Sequence, residues 1–385
     1  AARNAFISRA PQGQAPRRIR VSRSHNQERK RVNLRQLAAS LRLSQTTVSR
    51  ALNGYPEVGA ATRRRVLEAA RAANYQPNAR ARRLATGRAM TVGHVISIRQ
   101  QSEMINPIFA DFITGAGEVY AREGYDLVLS IVPEADEAKT FRTWAAQGSV
   151  DGVMLQAPQR QDDRIALLSE LGIPFLVHGR SETGRGPDGR RDYAWLDVAN
   201  ADGFQAATGH LLGLGHRRIA LINGPEILDF AARRRRGFER AIEAAGLSAD
   251  PTLMFQDVMT ENYGYRVAVE ALDKNGKTDG PPSAFLTASI MSALGVQRAV
   301  IERGLTLGRD VSLVTYDDEL SYLQNQPGPG GGLRAFSAVR SSVRAAGRRC
   351  AELLLEQIAT PTAEKPQELW TPQFVSGVSS GPPQA

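Results

Sequence analysis

From residue 90 onward, short apolar runs alternate with amphipathic helical patterns, and this rhythm limits the possible folds more than any other feature. Several runs, such as those at 152–156 and 219–223, are almost entirely apolar. Strands buried on both faces have this composition, and they occur in parallel sheets covered by helices on both sides. We predict strands at 91–97, 126–132, 152–156, 174–177, 219–223, 283–287, 311–315 and 335–339, and helices between most of them, at 107–123, 201–212, 231–245, 263–272 and 293–303.

The alternating region is long enough for two such sheets. A chain of 385 residues has room for two or three domains. In open α/β sheets the ligand crevice lies at the carboxyl ends of the strands. We therefore predict an α/β body of two doubly wound parallel sheets, with a crevice at the strand ends.

Residues 33–54, in contrast, predict an all-α unit of two short helices joined by a turn. Asn33 followed three residues later by Gln36 is a capping-box pattern, and Ser44 can cap the second helix. One face of the second helix is apolar, and the other carries Gln45, Thr46, Ser49 and Arg50. Such a polar face fits a major groove, where Gln and Arg can read base edges and hydroxyls can bind phosphates. The unit is typical of a helix-turn-helix, and two core helices of a small bundle are the alternative.

The positive charge of the chain is concentrated at its N-terminal end. Residues 1–88 contain 20 Arg or Lys and 3 Glu, a net charge of +17, whereas the remaining residues carry −7. A basic head on a mildly acidic body is typical of a polyanion-binding module attached to a second function, which favours the helix-turn-helix. The Arg-rich residues 1–31 have no hydrophobic period and are predicted to be disordered. They either add nonspecific attraction for phosphate or have no role.

A third helix is predicted at 60–74, and a short helical segment follows it. Pro77 and Gly87 stand at the start and just past the end of that segment, as is typical of helices. Its single large aliphatic side chain, Leu84, lies among arginines, so an isolated helix of this length is marginal in water. We predict a hinge helix that folds only when docked on DNA or on a second copy of the chain.

Several classes of protein are disfavoured by the sequence. Cys350 is the only cysteine, which excludes internal disulfides and fits a reducing cytosol. No apolar run reaches membrane-spanning length, and the basic N-terminus lacks the apolar core of a signal peptide, so we expect a cytoplasmic protein. The five histidines show no metal-ligand spacing, and we expect no metal, no cofactor and no enzymatic activity.

Taken together, these motifs identify the chain as similar to the lac-repressor (LacI/GalR) family of bacterial transcription regulators, over about residues 32–378. In the head the matching residues are Leu37-Ala38, Ser44, Thr47-Val48-Ser49-Arg50, Leu52-Asn53, Val58, Thr62-Arg63, Val66, Asn74-Tyr75-Pro77-Asn78 and Leu84-Ala85. In the body they are Gly213-Leu214-Gly215-His216-Arg217-Arg218-Ile219-Ala220, Arg234, Gly237-Phe238, Val311-Ser312 and Tyr316-Asp317-Asp318. The run at 316–323, together with 44–47, resembles the branch of α-glucoside utilisation regulators.

This resemblance implies the bilobed fold of periplasmic sugar-binding proteins, in which the chain crosses between the lobes three times. The expected domains are a disordered extension at 1–31, a helix-turn-helix domain at 32–76, a hinge helix and linker at 77–89, and a core at 90–378 for effector binding and dimerisation. We place the N-lobe at about 90–192 with 318–335, the C-lobe at about 193–317 with 336–378, and a tail at 379–385.

In this family the second helix reads the major groove, and a hinge leucine inserts into the minor groove at the operator centre. The resemblance therefore implies base reading by Gln45, Thr46 and Arg50, and positioning on the backbone by Ser44, Thr47, Ser49, Asn53 and Tyr55. It makes Leu84 the inserted residue, and adds Leu34, Asn78, Ala81 and Arg82 as DNA contacts. Arg42 occupies a turn position where relatives often have Gly, so a positive φ there would strain it.

Effector-binding candidates follow from their positions near the strand ends, and they are Asn106, Phe109, His178, Arg180, Arg234, Ser289 and Asp317. Sugars are typically held by bidentate hydrogen bonds and by an aromatic side chain against the ring. The resemblance implies that Arg234 and Asp317 bind sugar hydroxyls, whereas Ser289 replaces an Asn found in many relatives. A structural helix-capping role for Asp317 and a satisfied strand-end role for His178 are the alternatives.

The predicted function is a transcriptional regulator that binds a pseudo-palindromic DNA operator as a homodimer under the control of a small-molecule effector, most simply a carbohydrate acting on a repressor. Two copies are needed because one helix-turn-helix reads only a few base pairs. Two alternative functions are disfavoured. A solute-binding protein for uptake has no use for residues 34–54, and an α/β enzyme would need a nucleophile and a base at a suitable spacing, which the sequence does not show. Induction or corepression by the effector, and dimer or tetramer, remain open.

Overall fold

The computed structural model describes residues 32–52, 54–73, 75, 87–97, 107–184, 186, 189, 191–273, 280–317, 319–320, 323, 325, 334–362 and 364–384. The chain divides into two compact units, Ala1–Ala85 and Thr86–Ala385. The predictions of a disordered extension at 1–31 and of a hinge helix that begins at Pro77 lie outside the described residues.

The first unit is a three-helix head. Its helices are α1 (Leu34–Leu41), α2 (Gln45–Leu52) and α3 (Ala60–Ala72). Their apolar stripes meet in a small core that contains Leu37, Val48 and Val66. The helix-turn-helix arrangement predicted from the sequence is therefore confirmed, with α3 ending two residues before the predicted bound.

The second unit contains two six-stranded sheets. The first lobe is built on β1 (Thr91–Ser97), β2 (Asp126–Val132), β3 (Gly152–Gln156), β4 (Phe175–His178), β5 (Ala194–Val198) and β11 (Gln367–Trp370). Their spatial order is β11-β5-β4-β3-β1-β2, and all pairings are parallel. Helices α4 (Pro107–Glu123) and α11 (Val343–Ala359) contribute to the core on one face of the sheet, and α5 (Glu137–Gln147) and α6 (Asp163–Glu170) to the core on the other.

The second lobe repeats this plan. Its strands are β6 (Ile219–Asn223), β7 (Met254–Gln256), β8 (Ala284–Thr287), β9 (Ser312–Asp317), β10 (Ser337–Arg340) and β12 (Gln373–Val375), in the order β12-β10-β9-β8-β6-β7. Its helices are α7 (Asn200–Gly213), α8 (Asp229–Ala244), α9 (Glu261–Leu272) and α10 (Ile290–Glu302), which pack as the pairs α7–α8 and α9–α10. One pairing departs from the all-parallel prediction, because β12 runs antiparallel to β10.

The sheets define lobe boundaries that differ from the predicted ones. Strand β5 belongs to the first sheet, so the first lobe extends to 198 rather than 192. Strand β10 continues the second sheet, and α11 and β11 return to the first. The bounds 318–335 and 336–378 were wrong because strand pairing, which short-range patterns do not encode, decides lobe membership. The described chain passes between the lobes near 199, 341 and 371, which are three crossings.

The four unpredicted strands are short or polar. Strand β5 carries Asp197 among its five buried residues, and β7, β11 and β12 have only three or four residues each, which is too short for an apolar pattern to stand out. Within the described residues, no helix is long and apolar enough to span a membrane.

Candidate functional site

The α2 helix of the head presents the predicted polar face to solvent. Ser44 caps the helix: its Oγ accepts the Thr47 N–H at 3.0 Å and lies 2.8 Å from Thr47 Oγ1. Gln45, Thr46 and Arg50 are exposed, while Thr47 and Ser49 are half-buried. The capping box at Asn33 and Gln36 is also present. The structure thus brings six of the predicted DNA contacts together on one short helix and its cap.

The turn between α1 and α2 adopts the strained geometry that the sequence suggested. Arg42 has φ of 56° in the left-handed region, and its N–H bonds to the carbonyl oxygens of Ala38 and Ala39. An L-residue pays a steric cost in this conformation, and glycine is the usual occupant. On the far side of α2, Arg63 donates to Gly54 O at 3.1 Å and to Tyr55 O at 2.6 Å, which holds the loop after the reading helix.

Two further predicted DNA contacts of the head, Leu34 and Tyr55, are only partly exposed. Leu34 is half-buried and packs against the head core, and Tyr55 is half-buried as well. Arg50 forms a solvent-exposed ion pair with Glu57 at 3.5 Å. Exposed ion pairs contribute little stability, so breaking this one to contact DNA would cost little free energy. Six further predicted site residues lie outside the described residues, namely Asn53, Asn78, Ala81, Arg82, Leu84 and Asn106.

In the second lobe, Arg234 is fixed between aromatic rings at the carboxyl edge of the sheet. Its guanidinium carbon lies 3.8 Å from the centre of the Tyr316 ring and 4.8 Å from that of Phe230. Nε donates to Asn200 Oδ1 at 2.8 Å, and Nη1 donates to Ala288 O at 2.6 Å. Planar stacking and two directed hydrogen bonds pre-organise the guanidinium for bidentate recognition.

Asp317 ends β9 at the same edge of the sheet and is 1% exposed. Its Oδ1 accepts the Glu319 N–H at 3.0 Å, whereas Oδ2 has no hydrogen-bond partner among the described residues. Arg340 Nε lies 3.6 Å from Oδ2, and Arg340 also forms an ion pair with Glu319. Burial raises the pKa of Asp317, against the lowering effects of the Glu319 N–H, of Arg340 and of the Asn325 side chain. A buried carboxylate oxygen that has a cation nearby but no hydrogen bond of normal length can accept one from a ligand hydroxyl.

Ser289 has a different role from the predicted contact. The side chain is fully buried, and its Oγ accepts the Met291 N–H at 3.2 Å. It is therefore the N-cap of α10, and its hydroxyl is engaged with the helix backbone.

In the first lobe, Arg180 is paired with an acidic side chain. Its Nε donates to Asp197 Oδ2 at 2.6 Å, and its guanidinium lies 5.0 Å from the centre of the Trp195 ring. Asp197 Oδ1 in turn lies 3.3 Å from Asn200 Nδ2, the residue that holds Arg234. A continuous polar chain thus runs from Arg180 in the first lobe to Arg234 in the second, through residues on both sides of the first crossing.

His178 stacks on Phe112, with ring centres 4.6 Å apart. Burial lowers the pKa of His178 to about 4, so the imidazole is neutral near pH 7. This environment supports the alternative of a structural strand-end histidine.

Phe109, in the first turn of α4, lines a small cavity with room for about one water molecule. His94 and Gln156 line it as well, and the Nε2 atoms of both are buried without a hydrogen-bond partner in the described part of the chain. His94 is 2% exposed, and burial lowers its pKa to about 3. These two polar residues were not singled out from the sequence. The available signal was a polar side chain inside or at the end of an otherwise apolar strand.

Comparison with known proteins agrees with both units. The family model described as "Bacterial regulatory proteins, lacI family" matches residues 34–78, and the one described as "Periplasmic binding protein-like domain" matches residues 208–380. The HTH-type transcriptional regulator AglR of Rhizobium meliloti (strain 1021) is 44% identical over 91% of this chain and 95% of its own length. The HTH-type transcriptional regulator CelR of Thermobifida fusca is 31% identical over 88% of this chain and 95% of its own length.

Two solved structures extend the comparison to three dimensions. The transcriptional regulator CelR–cellobiose complex has a TM-score of 0.64 at 28% identity, and covers 91% of this chain and 100% of that one. The lac repressor dimer bound to operator and the anti-inducer ONPF has a TM-score of 0.73 at 24% identity, over 91% and 100% of the two chains, which shows a shared fold. The chain therefore belongs to the LacI family of bacterial regulatory proteins and is an HTH-type transcriptional regulator.

Proposed function

We propose that the chain is a homodimeric repressor that binds a pseudo-palindromic operator, and that a neutral saccharide in the cleft between its lobes controls its affinity for DNA. The single observation that carries the DNA-binding part is the exposed polar face of α2, with Gln45, Thr46 and Arg50 side by side. Arg reads guanine and Gln reads adenine in the major groove, while short hydroxyl side chains bind phosphates. A chromosomal target implies that the protein acts in the cytoplasm.

The homodimer follows from the limited reach of one head. A single helix-turn-helix contacts one half-site, and two copies are needed for useful specificity. The first lobe offers a surface for the second copy. Strand β2 stands at the end of its sheet, and its apolar side chains Val128, Leu129 and Ile131 are each 39–46% exposed. Exposed apolar strands at a sheet edge are typical of contact surfaces.

The effector part rests on Arg234 and Asp317 at the carboxyl edge of the second sheet. A fixed guanidinium, a carboxylate oxygen without a donor and an aromatic ring are the groups that hold a sugar. CelR was solved with cellobiose, and the run at 316–323 resembles α-glucoside regulators. We therefore expect a neutral glucoside, and an α-glucoside in particular.

Control of DNA affinity would follow from closure of the lobes. The effector would change the spacing of paired hinge helices, and Leu84 would insert in the minor groove only in one arrangement. A coupling free energy of about 1–3 kcal/mol is typical of such linkage. Its sign distinguishes an inducer from a corepressor.

A thermal-shift screen tests the effector assignment. A ligand of the native state must raise the unfolding midpoint, and we expect this from neutral α-glucosides but not from their phosphates. The Asp317→Asn variant should lose the shift. If phosphorylated sugars raise the midpoint and neutral ones do not, or if no saccharide does so, the proposed effector class is wrong.

A further inference from the structure

Backbone hydrogen bonds join the two lobes directly, between segments that do not belong to the three crossings. Gln159 in the first lobe and Leu228 in the second form a single antiparallel β-bridge. The Arg160 N–H donates to Ile227 O at 2.9 Å, and the Asp229 N–H donates to Pro158 O at 3.0 Å. We call the segments 158–160 and 227–229, with these two hydrogen bonds, the clasp.

The first-lobe side of the clasp is held by hydrogen bonds within its own lobe. Asp162, which is 2% exposed, accepts the Gln159 N–H at 3.0 Å and is held by Arg164 at 2.6 Å. Arg160 O accepts from the Ser181 hydroxyl at 2.9 Å and from the Glu182 N–H at 2.7 Å. These bonds leave the Pro158 carbonyl and the Arg160 N–H directed at the other lobe. The preceding residue, Ala157, has φ of 45°, a conformation that costs free energy and is retained where surroundings require it.

The second-lobe side is equally well defined. Asp229 is the first residue of α8 and is 1% exposed, and its carboxylate forms an ion pair with Arg233. The N–H of a residue at this helix position has no partner within the helix. The Asp229 N–H is therefore available outside the helix, and the carbonyl oxygen of Pro158 accepts a hydrogen bond from it.

Charges on the two sides are complementary as well. The first lobe contributes the Arg180–Asp197 pair, and the second contributes Arg233–Asp229. Across the lobe boundary, Asp197 and Glu182 attract Arg233 and Arg180 attracts Asp229, whereas Asp197 repels Asp229. Three attractive pairings and one repulsive pairing thus lie beside the backbone bridge.

We propose that the clasp is a latch that holds the lobes together through protein–protein contacts and must open before the effector enters or leaves the cleft. The latch then regulates the proposed effector site, and in this respect the proposal rests on that function. Its consequence is kinetic. Weakening the clasp increases the population of the open form and speeds both association and dissociation of the effector.

The N1 position of Asp229 permits a clean test. Proline is favoured at N1 of a helix, and the preceding Leu228 has φ −79° and ψ 133°, the extended geometry that proline requires before it. Asp229→Pro therefore removes the second-lobe N–H donor of the clasp without disrupting α8 and leaves the Arg160 donor in place. Asp229→Ala is the matched control, because it loses the same carboxylate but keeps the N–H.

Hydrogen–deuterium exchange resolved to single amides, in the full-length protein without any ligand, tests the latch. The substitution is made in the second lobe, and the exchange rate is measured at Arg160 in the first. We expect the Arg160 N–H to exchange about tenfold faster in Asp229→Pro than in Asp229→Ala. The Gln159 N–H, which is bonded within its own lobe, should be unchanged between the two. Equal exchange of Arg160 in both variants, or no protection of Arg160 in the wild type, would overturn the proposal.

A disulfide provides a second, independent measurement. Residues 159 and 228 form a non-hydrogen-bonded antiparallel pair, whose Cα atoms are typically about 4.5 Å apart, within disulfide range. The double variant Gln159→Cys, Leu228→Cys should cross-link within the monomer under mild oxidation, and adding Asp229→Pro should slow cross-linking. Failure to cross-link would contradict the latch. Neither measurement needs an effector, so the latch stands or falls separately from the proposed saccharide.

Discussion

The guanidinium carbon of Arg234 lies 3.8 Å from the centre of the Tyr316 ring, and its Nε is bonded to Asn200. Asn200 and Ala288 accept from two N–H groups of the guanidinium, and its other N–H groups have no hydrogen-bond partner among the described residues. Because Asn200 is also hydrogen-bonded to Asp197 of the first lobe, the stacked arginine of the second lobe is linked to the first lobe through one side chain.

Arg234→Lys should weaken binding of the effector identified by thermal shift. Lysine cannot form a planar fork or stack on Tyr316, and the loss of a bidentate, charge-assisted contact costs about 1.5–3 kcal/mol, or roughly 10- to 150-fold in Kd. Isothermal titration calorimetry measures this directly. Arg236→Lys, on the exposed side of the same helix, is the control and should bind normally. Equal affinity of the Arg234 variant and this control would remove Arg234 from the site.

Arg50→Ala should lower operator affinity by about 1–3 kcal/mol and relax specificity at one base position. The exposed Arg50 side chain stands on the reading face of α2, and its exposed contact with Glu57 is weak. Arg71→Ala removes an exposed charge from the last turn of α3 and should reduce binding slightly and uniformly across sequences. Binding to a set of single-base operator variants separates the two effects. An unchanged sequence preference in Arg50→Ala would show that the reading face is assigned wrongly.

Arg42→Gly should stabilise the head by about 0.5–1 kcal/mol, because glycine relieves the left-handed strain at φ 56° while losing some backbone entropy on folding. The same substitution at Arg64, exposed within α3, should destabilise it by about 1 kcal/mol. Exchange of the Val48 amide, bonded to Ser44 O, reports the opening free energy of α2. A loss of stability in both variants would mean that the turn tolerates arginine without strain.

His94 should make the first lobe sensitive to acid. Its pKa is about 3 in the folded protein against 6.5 in the unfolded chain, so the unfolded state binds the proton first as the pH falls. Stability is therefore lost progressively below about pH 6.5, by about 2 kcal/mol between pH 7 and pH 5.

Comparison of wild type with His94→Leu isolates this contribution. Between pH 7 and pH 5, the free energy of unfolding of His94→Leu should fall by about 2 kcal/mol less than that of the wild type. Tyr120→Phe, which keeps the imidazole, should behave as the wild type. All three tryptophans lie in the first lobe, on α5, β5 and β11, so tryptophan fluorescence during urea unfolding follows this lobe. An identical pH dependence in His94→Leu and wild type would contradict the buried neutral histidine.

Local chemistry made much of the head predictable. The cap at Ser44, the capping box at Asn33 and the positive φ at Arg42 depend on residues within a few positions of each other, and all three are present. Strand ends similarly pointed to Arg234 and Asp317.

Longer-range relations could not be predicted. The chain order of strands does not reveal that β5 completes the first sheet, and missing β5 also hid Asp197, the partner of Arg180. Ser289 was predicted as a ligand contact, although its position before α10 makes it a cap. The clasp joins segments nearly seventy residues apart, Gln159 and Leu228, and no local pattern predicts such a pairing.

The central claim, that a basic helix-turn-helix head binds an operator with an affinity set by a ligand in the cleft, is tested most directly by fluorescence anisotropy at fixed physiological salt. The purified protein is titrated onto DNA fragments from beside its own gene and onto shuffled copies, with and without the saccharide found by thermal shift. We predict at least about 10³-fold tighter binding to one native fragment, and a change of about 5- to 150-fold in that affinity when the saccharide is added. Equal affinity for native and shuffled DNA, unaffected by any saccharide, would contradict the account.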